Sequence, residues 1–556
     1  MRRATTWRLA PRMAAAVCAG ALGVSALTGC ESMPIKGNPL AMLPDSLGLG
    51  SSVKVGKLPP LPAPRQWPDA EQDVRAERAR GYGLVHMPQM QAYLNGLLGN
   101  IKQAAGAPQW QGAVYITASS SLEAYCTGAG NIYVSLGWLD AAESEDEIVA
   151  LLSHEFGHVY LNALQLEGTV AGTDEIAKWA AVGLSLAQKT GNATGWTPVD
   201  TLLLSYEAGK GTLAPAWSRN EEDSADKVGA TLSLQLNYSF TRGFKTFLER
   251  QANWEAQNDK KREADKLQLV ESLKQSTQNK VGKQNLGVQG PSQKALNDLQ
   301  NALNGGVAEV SQGIGSALQD LVRNISQTHP DTEKRLTTLT EQVAPLLAGK
   351  PRPSATVQPW LDAQAHPVTA AVLQNYRTAF DAQTALQKQD HATARTLALA
   401  AASGPTADHA LPTMLLSLTE GYAGAAEKRG RKPPVSKPID PLDRNLQSER
   451  DRAWQIYTLR ATRLLSGGQA VQAKAVIKDG LDYFGGTPSA WPDAIRFTAA
   501  ADGWPAAKQV AQHCAKRFPT YQSICAQAAQ SPQEVAASQA LAEKKGNSLA
   551  DRLLKK

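Results

Sequence analysis

His154 and His158 stand four residues apart with Glu155 between them, in the run Leu151-Leu152-Ser153-His154-Glu155-Phe156-Gly157-His158-Val159. On a helix, positions i and i+4 share a face, so both imidazoles can serve one metal ion while Glu155 lies beside them, placed to act on a water. Hydrolytic zinc takes three protein ligands and keeps one position open. The third ligand must come from elsewhere in the chain. Glu222 and Asp226 are again i and i+4, in Ser218-Arg219-Asn220-Glu221-Glu222-Asp223-Ser224-Ala225-Asp226. In this reading Glu222 binds the metal and Asp226 accepts the free ring N–H of a metal-binding histidine, fixing its tautomer. Glu221 is the neighbouring alternative ligand.

These residues need elements to hold them. Ser144 followed by Glu147 predicts a capping box, so a helix starts there and carries His154 and His158. Short strands are expected over Gly112 to Ser119 and Asn131 to Leu136, with Gly128 and Gly130 between them. Before them, Leu94, Leu97, Leu98 and Ile101 recur on one face of a helix within 68–105. The helical pattern continues with interruptions to about Trp254, and residues 255–325 form a polar helical insertion without a core face. Five prolines from Pro345 to Pro367 mark a domain boundary, so residues 346–369 are expected as a linker. Residues 370–556 are rich in Ala and Leu, with proline and small-residue spacings near those of tetratricopeptide repeats; a plain α-helical bundle is the alternative. The fold class expected is mainly α with a small β-sheet, followed by an all-α helical-repeat domain.

The chain of 556 residues has a formal charge of +6. Four arginines in residues 1–29, without a lysine or acid there, supply four of those charges, and the near-neutral remainder offers no footprint for nucleic acid. The apolar run from Met13 to Leu27 ends in Leu27-Thr28-Gly29-Cys30, the layout of a secretory signal peptide covering 1–29. Its ending resembles a bacterial lipobox, with Cys30 acylated and holding the protein to a membrane without a span. Glu31 follows, and the Asp that retains such lipoproteins in an inner membrane is absent, so the outer membrane facing the periplasm is the expected address. Residues 30–69, rich in Pro, Gly and Ser, read as a flexible tether. Cys514 and Cys525 flank Pro519 between two helical stretches, either as a disulfide that an oxidising compartment permits or as two buried thiols.

Several motifs in order resemble the HtpX/BepA-like zinc metalloproteases, gluzincins of peptidase family forty-eight. They are Gly130-Asn131-Ile132-Tyr133-Val134, Glu145-Asp146-Glu147, the His154 to His158 motif, Ser218 to Asp226, and Thr328-His329-Pro330 with Arg335. The resemblance runs from about 75 to 345, and the lipoprotein signal and repeat-like tail point to its periplasmic branch. Two departures from the family pattern would border the substrate cleft: Glu123-Ala124-Tyr125-Cys126 replaces the usual Asn-Ala-Phe-Ala, and Gly128-Ala129-Gly130 a Pro-Gly-Gly turn.

The resemblance implies an α+β zincin-type protease domain over 70–345 with one zinc per chain. His154, His158 and Glu222 would be the ligands, Asp226 a supporting acid and Glu155 the general base. His329 is implied to lie near the zinc, as oxyanion stabiliser or fourth ligand. An edge strand at 131–135 would hold an extended substrate by β-augmentation. The function expected is a lipid-anchored periplasmic endopeptidase of misfolded or misassembled envelope proteins, its tail recruiting substrates or outer-membrane assembly machinery. The alternative is a lipoprotein adaptor or chaperone with little or no proteolysis.

Overall fold

A computed structural model describes residues 53–58, 60–61, 66–163, 219–257, 332–426, 440–448, 451–531 and 533–534. The expected signal peptide, Cys30, much of the expected tether, His329 and nearly all of the expected 255–325 insertion lie outside the described residues. Helix α1 (Ala70–Arg78) is capped by Asp69, whose carboxylate accepts from the N–H groups of Glu71 at 2.9 Å and Gln72 at 3.2 Å. Acids in its first turn and arginines in its last complement the helix dipole. Helix α2 (Pro88–Ala104) begins on a proline, whose missing N–H has no partner to lose there. It buries Leu94, Leu97, Leu98 and Ile101 together, the stripe expected from their spacing.

Three short strands follow: β1 (Val114–Thr117), β2 (Ala124–Cys126) and β3 (Ile132–Ser135). They lie in the order β1-β3-β2. β1 runs parallel to β3 with Val114 opposite Ile132, and β2 runs antiparallel with Tyr125 opposite Tyr133. The expected edge strand at 131–135 is therefore the central strand. The outer side of β1 is met by the segment before α2, where Val85 N–H donates to Ile116 O at 2.7 Å. Among the described residues this leaves β2, a strand of three residues that the sequence did not signal, as the edge beside the metal-site helix.

After α3 (Leu136–Ala141) comes α4 (Glu145–Ala163). Ser144 Oγ accepts from Glu147 N–H at 3.3 Å, as a capping box requires. The Glu147 carboxylate reaches back to the N–H of Glu143 at 3.1 Å, one residue earlier than the simple box. From Ile148 to Leu161 nearly every α4 side chain is buried, so this helix is the middle of the core and not a surface amphipath. Helix α5 (Arg219–Gln235) packs along it. A single π-helical turn, Thr241–Lys245, leads into α6 (246–257), and α7 (Thr332–Leu347) packs on α5.

The stretch expected as a linker is tied to the core. Within it lies α8 (Gln358–Ala365), and Trp360 is fully buried with its indole N–H donating to Ala142 O at 2.8 Å. Asp146 accepts from the N–H groups of Thr356 at 2.6 Å and Ser239 at 2.7 Å, and Glu145 N–H donates to Thr356 O. One hydrophobic core runs from Val53 to Ile456, across the expected boundary. Prolines there end helices without ending the packing.

The remaining described residues form helices: α9 (Pro367–Gln387), α10 (His391–Ala401), α11 (Ala410–Ala426), α12 (Pro441–Gln447), α13 (Trp454–Ser466), α14 (Ala470–Phe484), α15 (Trp491–Asp502), α16 (Trp504–Arg517) and α17 (Gln522–Ala528). Sequential neighbours pack on each other: α9 on α10, α13 on α14, α15 on α16. The last three helices enclose a separate small core in which Cys514 and Cys525 are joined by a disulfide, Cα–Cα 5.9 Å. Among the described residues no helix is long and apolar enough to cross a membrane.

Candidate metal centre

The site exists because α4 and α5 approach closely at two glycines. A Cβ on Gly157 would stand 2.7 Å from Ala225 O, and one on Gly229 would stand 2.8 Å from His154 N. Side chains at either position would force the helices apart and separate the groups they carry. The contact brings His154 and His158 of α4 against Glu222 and Asp226 of α5, all buried.

His154 Nε2 lies 3.6 Å from Glu222 Oε2, and His158 Nε2 lies 3.4 Å from Glu222 Oε1. One donor atom from each of the three residues falls within 4.8 Å of the others. Tetrahedral ligands at about 2.1 Å from a zinc ion stand about 3.4 Å apart, which is the separation seen here. On the far side of the ring, His154 Nδ1 is 2.9 Å from Asp226 Oδ1, so Asp226 holds the proton on Nδ1 and turns Nε2 toward Glu222. Phe247 of α6 sits against the same imidazole, ring centroids 5.6 Å apart. Glu155 is buried beside the histidines, and its Oε2 has no hydrogen-bond partner among the described residues.

Arg335 of α7, also buried, completes the arrangement. Its Nε and Nη2 each meet an Asp226 oxygen at 2.8 Å, and its Nη1 lies 2.7 Å from Glu222 Oε2. Burial alone would raise the Asp226 carboxyl; the Arg335 guanidinium and the bond from His154 outweigh it and hold Asp226 at about 2. The same carboxylates push the Arg335 guanidinium above its usual range against the effect of burial. Glu222 and Asp226 thus share the one Arg335 guanidinium, which lies buried with them. Donor type and spacing both fit a zinc ion held by His154, His158 and Glu222.

The structure thus brings together five sequence-predicted residues: His154, Glu155, His158, Glu222 and Asp226. Glu221, the alternative ligand, is outside the cluster of converging donors and only partly buried. His329 and Cys30 lie outside the described residues. Arg335 had no role from the sequence beyond its place in the motif order. It is distant in the chain from Asp226, and its only local clue is a basic residue among the polar positions of a helix.

No curated protein matches the chain. Residues 88–343, which include the centre's α4, α5 and Arg335, match Peptidase family M48, so over this segment the chain is similar to hydrolases that cut peptide bonds with the help of a bound metal.

Proposed function

We propose that residues 70–345 act as a zinc metalloendopeptidase on unfolded or misassembled envelope proteins, held by an acylated Cys30 to the outer membrane on its periplasmic face. The observation that carries the catalytic part is the convergence of His154, His158 and Glu222 with Glu155 on the same buried helix. When bound there, zinc supplies Lewis-acid polarisation of a water and of the scissile carbonyl. Glu155 takes the proton of the attacking water and returns it to the leaving amine. Asp226 keeps His154 in the tautomer that presents Nε2, and Arg335 keeps both acids of α5 in place. The edge strand β2 would pair with the backbone of an extended segment, which favours unfolded chain over native cores. The helical pairs of 370–556, read as tetratricopeptide-like, would recruit such substrates or the outer-membrane assembly machinery.

The test is cleavage of an unfolded outer-membrane protein by the purified chain beside its Glu155→Gln variant. Wild-type turnover with at least about a thousandfold loss in the variant, at unchanged metal content, is expected from loss of a general base. Equal activity in both would exclude Glu155 as the base. No cleavage by either, with envelope function retained in a Glu155→Gln strain, would favour the adaptor reading.

A further inference from the structure

Helix α1 stands between the sheet and the C-terminal helices and grips both. On one face, Glu77 Oε2 accepts from the Tyr125 hydroxyl of β2 at 2.7 Å. Four residues earlier, Asp73 Oδ2 accepts from Thr127 Oγ1 at 2.8 Å, Asn131 Nδ2 at 2.8 Å and the Tyr133 hydroxyl at 2.7 Å. Tyr133 stacks between Tyr125 (5.1 Å) and Tyr115 (5.7 Å), so the three strands share one aromatic layer, and α1 accepts from the hydroxyls of Tyr125 and Tyr133. On the other face, the Arg75 guanidinium lies 5.3 Å over the Tyr483 ring at the end of α14, and Arg452 lies 5.4 Å from the same ring. Gln455 Nε2 donates to Ala79 O at 3.3 Å. Arg80 pairs with Glu77 at 2.5 Å.

Burying the Glu77 carboxyl is costly, and an apolar residue would fill the same space at less cost. What the carboxyl supplies is a directional hold on one hydroxyl of a strand only three residues long, which among the described residues has β3 as its single strand neighbour. A strand with so few ladder bonds depends on side-chain anchors for its position. We infer that α1 is a positioning lever through which the C-terminal helices fix the edge strand β2, with Glu77 as the positioning residue for substrate binding. The substrate-binding part rests on the peptidase reading above; the mechanical part does not.

The experiment uses the full chain and two readouts: hydrogen exchange of the β2 segment, and KM and kcat on unfolded casein. Glu77→Ala speeds exchange at Ala124–Cys126 by about tenfold and the distant Tyr483→Ala by about threefold, the scale of one lost hydrogen bond or cation–π contact. Both raise KM by about fivefold with kcat within about twofold and zinc content unchanged, because neither touches α4 or α5. Glu77→Gln keeps an acceptor for Tyr125 but loses the charge that pairs with Arg80, so its β2 exchange lies between wild type and Glu77→Ala. Unchanged β2 exchange in Tyr483→Ala and Glu77→Ala overturns the lever, as does a parallel fall of kcat and zinc content. Should Glu77→Ala fail to fold, Tyr125→Phe takes its place with the same expectations. If the wild type cleaves neither casein nor an unfolded outer-membrane protein, the peptidase reading fails and the exchange data alone decide the lever.

Discussion

At α4, His154 and His158 are buried among Glu222, Asp226 and Arg335, while in the C-terminal helices His409 is buried with its Nδ1 3.2 Å from the Tyr376 hydroxyl. Both regions take imidazole out of water, and they do so for opposite ends. Around His154 the carboxylates point their oxygens at the ring nitrogens, so the pocket is built for positive charge. Around His409 burial dominates; Asp408 pulls the imidazole up, His86 pushes it down, and the ring ends at about 4, below its usual 6.5. Asp451 beside it accepts from Ala410 N–H at 3.2 Å, and burial drives its carboxyl well above the usual range. In this chain the donor-converging geometry is at His154 and His158, and not at His409. His409, facing a hydroxyl at the start of α11, is a neutral packing residue.

The sharpest way to break that contrast is to remove the charge that keeps the acids of the metal site paired. Arg335→Met leaves Glu222 and Asp226 buried without their cation, and by analogy with broken buried ion pairs should cost about 3–5 kcal/mol of stability in the metal-free chain. Added zinc should recover part of this, since the ion then supplies the missing charge. Thermal or urea unfolding with and without zinc checks both statements; a loss below about 1 kcal/mol would mean that Arg335 is not what holds the acids.

His409 should show up through pH. Its folded value lies below its unfolded one, so between pH 6.5 and 4 the unfolded chain binds a proton that the folded chain does not. Stability from this group is fully present above pH 6.5 and falls as pH drops, by up to about 3 kcal/mol over the window. Asp451 contributes the opposite slope, because its folded value is raised and ionisation of the unfolded chain gains as pH rises. The histidine part is thus read as the difference between wild type and His409→Phe in urea melts at pH 4.5 and 7, where the variant should lose the acid-dependent share. Equal slopes in both proteins would show that His409 titrates normally.

The smallest effect belongs to Tyr376→Phe, which removes the hydroxyl facing His409 and should cost about 1 kcal/mol. Zinc binding and any peptidase activity should not change. A change in either would mean that the two histidine environments are coupled.

Much of the site was legible in sequence because its residues sit in helices, where spacing states which side chains share a face. The i and i+4 pairs His154–His158 and Glu222–Asp226, the Ser144–Glu147 cap and the α2 stripe all follow from one helical period. The sheet was less legible. Three residues, Ala124 to Cys126, are too few for an alternating pattern, and no local feature says that β1 and β2 both pair with β3, so sequence alone makes the central strand look like the edge. Arg335 and Trp360 show the same limit: each acts through a partner more than a hundred positions away, and only packing reveals it.

Zinc content of the purified chain, wild type beside Glu222→Ala, tests the central claim most directly. The three-ligand centre predicts about one zinc per wild-type chain and a sharp loss in the variant while the helical signal is kept. Zinc in neither protein, or equal zinc in both, would contradict it.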